Sequence, residues 1–323
     1  MNREIYMMIE QTERPFEVPE MSRDKQVRVF RRLFAMKEGA STSEAMQVDS
    51  YAVITKHYVI FLDTLLCPED MEHIMSSLQQ ECEGRQIVVV DSHADWDHCW
   101  GNSYFTALHA APILAHDHCF TRLRSQEEQD GLQAYKQRYL MFRNVALTNP
   151  TLTFSQSFTI HDEDLTLELF SAPGHHLDQI AAWIPELRLL FAFDAAEWPL
   201  PLIENALGVP LMYSTLQHFL TLEPQHVLCS HGKTTDATVL QNNFDYLKKI
   251  EQRGRAFLTN THTGLNLKEL EHLSTLINYP FEEAIADITG SQNGLDTIPD
   301  PEFYGEAHEN NTHVVLEWLA SLT

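Results

Sequence analysis

The sequence predicts an α/β or α+β fold in which helices cover the outside of two sheets. Short runs rich in Val, Ile, Tyr and Phe come first, strands and helices then alternate, and strands followed by helices return in the second half. This order of elements is typical of a layered sandwich. A small helical appendage completes the chain.

The elements follow from the apolar periodicity, taken in chain order. We predict that residues 1–26 form a polar lead-in with an edge strand at residues 5–9, that residues 27–255 form the main domain, and that residues 256–323 form a helical extension. The predicted strands are residues 26–34, 49–55, 58–63, 86–90, 112–115, 165–170, 180–184, 188–193 and 226–229. The predicted helices are residues 68–83, 103–110, 121–143, 211–222, 238–252, 265–276, 280–288 and 311–322.

Composition and charge restrict the class of partner. Of 323 residues, 44% are hydrophobic and 21% are charged, which is typical of a globular protein. The 22 basic and 46 acidic residues give a net charge of −24 at pH 7. Because this charge repels phosphate groups, it argues against nucleic acid and anionic membranes as main partners. We expect a small-molecule substrate instead.

The sequence also predicts a compartment. No apolar stretch approaches the roughly 20 residues needed to span a bilayer. Charged residues, among them Glu10 and Arg14, interrupt the start before a signal-like apolar core develops. The five cysteines lack C-x-x-C spacing, which favours thiols over a disulfide framework. These features predict a cytoplasmic protein.

The clearest chemistry lies directly after the apolar strand at residues 86–90. His93, Asp95, Asp97 and His98 fall within six residues of one another. A loop at a strand end can bring imidazoles and carboxylates together, and this ligand mixture suits zinc, iron or manganese, with zinc the usual choice. The alternative is a polar surface loop, since His and Asp are both common in loops.

Three further candidates follow strands in the second half. His175 comes after the strand at residues 165–170, Asp194 ends the next strand but one, and His231 follows the last strand. Strand ends at one sheet edge are a usual place for a site on a rigid scaffold. Glycine-rich phosphate loops and a G-x-S-x-G motif are absent, so a metal is the visible source of chemistry.

These motifs, in this order, resemble those of the metallo-β-lactamase-fold hydrolase superfamily, whose pattern is H-x-H-x-D-H, a later G-H, an Asp after a strand and a final His before Gly. The resemblance implies a four-layer αββα sandwich with a binuclear metal site. By position it implies a first ion held by His93, Asp95 and His175, a second held by Asp97, His98 and His231, and Asp194 as the bridge. It also implies that Asp97 orients the nucleophile and relays its proton, which is the catalytic role.

Asp95 departs from the family pattern, which has a second His at this position. A carboxylate adds negative charge and a hard oxygen to the first site, which favours iron or manganese more than three imidazoles do, while zinc also fits. The related flavodiiron proteins carry Glu there and hold iron. We therefore expect two divalent ions as cofactors, with zinc first and iron or manganese as alternatives.

Three functions fit these residues. The leading one is metal-dependent hydrolysis of a small-molecule ester, thioester, lactone, amide or phosphoester by a metal-activated water. A non-haem diiron oxidoreductase is the alternative that Asp95 motivates, although about 70 residues after Arg253 are too few for a flavodoxin domain. The third is a non-catalytic sensor or effector that metals hold together. The C-terminal extension either covers the cleft, forms a homodimer surface or is a solvated cap.

Other residues near the motifs are given supporting roles. Trp96 and Trp100 are predicted to pack under the metal loop, and the Gly101-Asn102 pair is predicted to form a turn. His116 and His118 are interpreted as supporting or surface residues. His176, which neighbours a predicted ligand, is a candidate for contact with the substrate.

Overall fold

The computed structural model describes residues 14–23, 26–35, 45–232, 234–260 and 267–322. The chain divides into two compact units, Met1–Ser171 and Ala172–Thr323. The predicted edge strand at residues 5–9 lies outside the described residues. Within the ranges given, no helix is both long enough and apolar enough to cross a membrane.

A seven-stranded sheet lies in the first unit, with its strands in chain order. The strands are β1 (Phe16–Glu17), β2 (Val27–Phe34), β3 (Met46–Ile54), β4 (Tyr58–Leu62), β5 (Gln86–Val90), β6 (Ile113–His116) and β7 (Leu152–Phe154). Strands β1 to β4 pair antiparallel, and β4 to β7 pair in parallel. Val90 is level with both Leu62 of β4 and Leu114 of β6. Residues that follow β4 and β5 therefore lie side by side.

Helices and short 3-10 turns connect the strands of the first unit. The helices are α1 (Pro68–Ser77), α2 (Gln79–Cys82), α3 (Trp96–Cys99), α4 (Asp117–Arg122) and α5 (Gln126–Arg138). Met71 and Ile74 of α1 are one helical turn apart and pack into the same buried core as Phe61 and Val89 of the sheet. An antiparallel hairpin of β8 (Ser157–His161) and β9 (Thr166–Ser171) ends the unit.

The prediction of one helix at residues 121–143 was wrong. The segment contains the end of α4, then α5, and then a 3-10 turn at Leu140–Asn144. Ser125 is the cause of the break, because its side chain accepts a hydrogen bond from the main-chain N–H of Glu128 and so caps the start of a new helix. As a result, α4 ends at Arg122.

Two other helix predictions in the first unit also need correction. The segment at residues 103–110 is not an α-helix and forms two 3-10 turns, Trp100–Phe105 and Ala107–His109. Ala107 has a positive φ of 51°, which a right-handed α-helix does not contain. The predicted helix at residues 68–83 is divided into α1 and α2 at Leu78, whose ψ of 20° departs from helical values.

The described part of the second unit has three strands and five α-helices. Strand β10 (Ile180–Ile184) pairs antiparallel with β11 (Leu189–Phe191), which pairs in parallel with β12 (His226–Leu228). The helices are α6 (Gly208–Thr221), α7 (Thr238–Asn260), α8 (Leu273–Leu276), α9 (Phe281–Thr289) and α10 (Pro301–Ser321). The predicted mixed α/β fold with two sheets is confirmed.

The last helix, α10, begins ten residues earlier than the sequence predicts. The sequence analysis predicts a loop rich in Gly, Asn, Asp and Pro before a helix at residues 311–322. In the structure, α10 begins at Pro301, so the last part of that predicted loop is helical. The Asp300 carboxylate accepts a hydrogen bond from Phe303 N at 3.1 Å and caps the helix. Pro301 suits the first turn because the N–H groups of that turn have no acceptor within the helix, so the lack of an N–H in proline costs no hydrogen bond there.

Candidate metal centre

The seven predicted ligands form two clusters, one in each unit. The first cluster, in the first unit, is His93, Asp95, Asp97 and His98. The second cluster, in the second unit, is His175, Asp194 and His231. Each member lies in a segment that follows a strand, as the sequence analysis predicts.

The first cluster begins just after β5 and contains two imidazole–carboxylate pairs. His93 Nε2 lies 3.4 Å from Asp95 Oδ2, and His98 Nε2 lies 3.6 Å from Asp97 Oδ2. The main-chain oxygen of Asp95 accepts a hydrogen bond from His98 N at 3.1 Å, which opens α3, the short helix that carries Asp97 and His98. His93, Asp97 and His98 are buried, and Asp95 is partly exposed.

Asp63, which the sequence analysis did not identify, fixes both imidazoles of the first cluster. It follows β4, is fully buried, and accepts hydrogen bonds from Ser92 N at 2.6 Å, from Ser92 Oγ at 2.8 Å and from His98 Nδ1 at 2.9 Å. Because the single hydroxyl hydrogen of Ser92 goes to Asp63, Ser92 Oγ accepts from His93 Nδ1 at 2.9 Å. Both rings carry their hydrogen on Nδ1, so each Nε2 presents a lone pair suited to a metal.

A guanidinium group holds Asp95, the predicted ligand that takes the place of a His in the pattern that the sequence resembles. The NH2 group of Arg122 donates a hydrogen bond to Asp95 Oδ1, and Arg122 Nε lies 3.0 Å from Glu128 Oε1. Asp95 therefore directs its other oxygen towards His93. The positive charge of Arg122 balances the negative charge that Asp95 brings in place of a neutral imidazole.

The residues under α3 support the loop. Trp96 and Trp100 pack on Phe142, with ring centroids 6.0 and 5.3 Å away, as predicted for the two tryptophans. Asn102 does more than form a turn, because it is fully buried and donates a hydrogen bond to Asp91 Oδ2 at 2.8 Å. Burial raises the pKa of Asp91 well above its usual range, although the bond from Asn102 opposes the rise.

The second cluster is centred on one carboxylate oxygen. Asp194 Oδ2 lies 3.7 Å from His175 Nε2 and 3.4 Å from His231 Nε2. His175 Nδ1 donates to the main-chain oxygen of Leu202 at 2.9 Å. Since a carbonyl oxygen only accepts, the hydrogen of His175 is on Nδ1 and its Nε2 faces the carboxylate with a lone pair. Two electron-rich groups in this arrangement are stabilised by a shared cation, so the donor set fits a metal.

A buried carboxyl group lies in the same unit, three residues after Asp194. Glu197 is 3% exposed, and the Tyr304 hydroxyl of α10 donates a hydrogen bond to Glu197 Oε1. Burial raises the pKa of Glu197 to about 7, while a positive charge on His231 opposes the rise and the negative charge of Asp194 adds to it. The sequence analysis did not identify Glu197 or Tyr304, which lie 107 positions apart.

The remaining histidines near the motifs have local partners. His116 Nδ1 accepts a hydrogen bond from His118 N at 3.1 Å, so His116 caps α4. His116 is buried, so the interpretation as a surface residue is wrong for it. His176 Nδ1 lies 2.8 Å from Glu204 Oε2, which ties the side chain to the segment before α6.

The sequence match identifies the family. A family model described as the metallo-beta-lactamase superfamily matches residues 44–231, which is more than half of the chain. The protein belongs to the metallo-β-lactamase superfamily, whose members are generally metal-dependent hydrolases. No curated protein matches the sequence.

Solved structures of metallo-β-lactamases share the fold. The DIM-1 enzyme exposed to ceftazidime aligns with a TM-score of 0.55 and 16% identity over 73% of this chain and 97% of its own. The enzyme from Pontibacter korlensis gives a TM-score of 0.55 and 16% identity over 72% and 98% of the two chains. FIM-1 from Pseudomonas aeruginosa, in its mono-zinc form, gives 0.51 and 16% over 71% and 92%. At these identities the similarity shows the fold alone.

Proposed function

We propose that the protein is a metal-dependent hydrolase whose two clusters hold two divalent cations. The observation that carries this proposal is that every imidazole of the clusters directs Nε2 towards a carboxylate oxygen, at 3.4 to 3.7 Å. The first ion would be held by His93, Asp95 and His175, the second by Asp97, His98 and His231, and Asp194 would bridge them. Membership of the superfamily supports the assignment. Zinc suits this ligand set best, and iron or manganese also fits.

The chemistry divides between the cations and the side chains that surround them. When bound, two such cations would supply Lewis acidity, which would lower the pKa of a water towards 7 and polarise a carbonyl or phosphoryl oxygen. Asp97 orients the attacking water and accepts its proton on a carboxylate oxygen. Asp63 and Arg122 hold His98 and Asp95 in place, so the ligands need little reorganisation during the reaction.

The proposed substrate is a small molecule with a hydrolysable acyl or phosphoryl bond. Esters, thioesters, lactones, amides and phosphoesters share an oxygen that a cation can polarise and a carbon or phosphorus that water can attack. A polynucleotide fits least well, because the net charge of −24 opposes its approach.

A non-haem diiron oxidoreductase is the second candidate, and the carboxylate of Asp95 is the observation that favours it. Oxygen ligands are harder than imidazole and suit iron. Arg122 weakens this argument, because its guanidinium balances the additional charge of Asp95.

We expect purified protein to contain, or to take up, about two equivalents of a divalent transition metal. Elemental analysis after purification without chelators gives the native content, and calorimetric titration of metal-stripped protein gives the stoichiometry. Because a metal that binds the folded state stabilises it, stripping should also lower Tm. Absence of metal in the purified protein together with no uptake on titration contradicts the proposal.

Replacing Asp95 should change the preference between metals. Asp95→His restores a third imidazole at the first site, and we expect the affinity for Zn(II) relative to Mn(II) and Fe(II) to rise roughly tenfold. Arg122 would then face an imidazole instead of a carboxylate, so the double variant Asp95→His/Arg122→Met should bind zinc more tightly than Asp95→His alone.

Competition binding of the three metals to wild type and both variants measures this preference. Arg122→Met alone is the matched control, since it leaves the carboxylate ligand in place without its balancing charge. An unchanged ranking of the metals in all three variants means that Asp95 does not determine metal choice.

A further inference from the structure

The segment between Asp194 and α6 carries the group that orients a predicted ligand. Leu202 lies in this segment, and its carbonyl oxygen accepts the hydrogen bond from His175 Nδ1. A backbone carbonyl can fix a ring only if the chain on either side of it is itself held. Residues 196–207 of this segment form no helix or strand, so their position depends on contacts from elsewhere in the unit.

Helix α10 supplies those contacts through two neighbouring asparagines. Asn311 donates from Nδ2 to the carbonyl oxygen of Pro201 at 2.6 Å and accepts at Oδ1 from the N–H of Ile203 at 3.0 Å. Asn310 Nδ2 donates to the carbonyl oxygen of Ile203 at 2.8 Å. Together these bonds hold the residues immediately before and after Leu202, much as a neighbouring strand would.

Asn311 is a polar group in a position where helix packing alone favours an apolar one. Its side chain is fully buried, and burial of an amide is costly unless its hydrogen bonds are made. Besides the two bonds to the segment, its Nδ2 lies 3.2 Å from the Tyr246 hydroxyl of α7. Two of these three hydrogen bonds of Asn311 therefore go to the backbone on either side of Leu202.

A second attachment holds the beginning of the same segment. The Tyr304 hydroxyl, about two turns further towards the start of α10, donates to the Glu197 carboxylate. The Asn243 side chain of α7 accepts from Glu197 N at 2.8 Å and donates to Glu197 O at 2.9 Å. Residues 197–203 are thus fixed at both ends, and α10 contributes to each end.

We infer that α10 belongs to the support of the metal centre, and that Asn311 is a positioning residue that acts on His175 through Leu202. With the Leu202 carbonyl held in place, His175 keeps its hydrogen on Nδ1 and its lone pair on Nε2, the form that binds a metal. The inference rests on the proposed function for its role in metal binding. It also assigns the C-terminal extension a purpose within the second unit.

The test replaces Asn311 with Leu, which has a similar volume and makes no hydrogen bonds. We expect Asn311→Leu to weaken Zn(II) binding by about 10–100-fold, as loss of a group that orients a metal-binding histidine typically does. Competition with a chromophoric chelator, on the full-length protein, measures the affinity. Asn310→Ala removes one bond at a less buried position and should give a smaller loss in the same direction.

Two control variants separate positioning from general loss of stability. Leu316→Ala removes a buried apolar side chain of α10 that packs near Gly254 of α7 and, being apolar, makes no hydrogen bond to residues 197–203. Thr312→Val removes only a bond within the helix, from Thr312 Oγ1 to His308 O. Both controls should keep wild-type zinc affinity, even where Leu316→Ala lowers Tm as much as Asn311→Leu.

A measurement on metal-free protein tests the positioning without any metal. Ring ¹⁵N chemical shifts report which nitrogen carries the hydrogen, and the His175 signals are assigned by their loss in His175→Gln. We expect the Nδ1–H form in wild type and a mixture of forms in Asn311→Leu. If both variants of Asn311 and Asn310 keep wild-type shifts and wild-type zinc affinity, the inference is wrong. If wild type binds no zinc yet shows the expected shifts, the positioning stands and the proposed function fails.

Discussion

Asp97→Ala is expected to reduce kcat/KM by about 10³-fold or more on any substrate identified for the protein. The carboxylate is both a proposed metal ligand and the group that orients the attacking water, so its loss affects the transition state directly. The fold should persist, because the core around it is formed by apolar side chains such as Val89 and Val90. Steady-state kinetics together with a thermal melt of the same sample measures both effects.

Asp117→Ala is the matched control for removal of an acidic side chain. Like Asp97, Asp117 lies in the first turn of a short helix of the first unit, but it is exposed. The control variant should keep wild-type kinetics. Near-normal activity in Asp97→Ala would rule out the role that we assign to this carboxylate.

Asp63→Asn should have the second largest effect, although Asp63 is not itself a proposed ligand. If Oδ1 becomes the NH2 group, Ser92 N loses its acceptor; if Oδ2 does, both Ser92 Oγ and His98 Nδ1 meet a donor in place of an acceptor. When His98 is affected, its hydrogen moves to Nε2 and blocks metal binding there. We expect metal affinity to fall about 10–100-fold and the free energy of unfolding to fall by about 1–3 kcal/mol.

Asp49 offers a control with the same burial and chemistry. Its carboxylate is also fully buried and accepts two hydrogen bonds from Arg31, both at 2.7 Å, in the first unit. Asp49→Asn should lower the free energy of unfolding without changing the affinity per folded molecule. Equal losses of metal affinity in the two variants would show that Asp63 acts on stability alone.

The parts of the fold that the sequence predicted best are buried strands with uninterrupted apolar side chains. Strands β5 and β10 begin and end at the predicted residues, because polar or turn-forming residues flank each continuous apolar run. Strands β7 and β8 were not predicted. The first has only three residues, and the second is mostly exposed, so neither shows the apolar pattern on which the prediction depends.

The candidate ligands could be found because chemistry and position coincide in the sequence. Each combines a metal-binding side chain with a place after an apolar strand, and the structure shows short imidazole–carboxylate distances within each cluster. Asp63 carried the same signal, since it directly follows the apolar strand β4, and it could have been included. It was missed because no histidine adjoins it in the sequence.

The remaining supporting residues carry no local signal. Arg122 is separated from Asp95 by 27 positions, and Asn311 from Pro201 by 110. Leu202 acts through a backbone carbonyl, which every residue possesses, so its side chain gives no indication of the contact with His175. Such partners are determined by how helices and loops pack, and a pattern of apolar residues does not specify them.

Stepwise reconstitution of metal-free protein tests the central claim most directly. Zn(II), Fe(II) or Mn(II) is added in fractions of an equivalent, and turnover of ester, thioester, lactone, amide and phosphoester substrates is followed together with bound metal. The account predicts no turnover without metal, activity that increases up to about two equivalents, and its loss in Asp97→Ala. Turnover that persists in metal-free protein, or two bound ions without hydrolysis of any member of the panel, would contradict it.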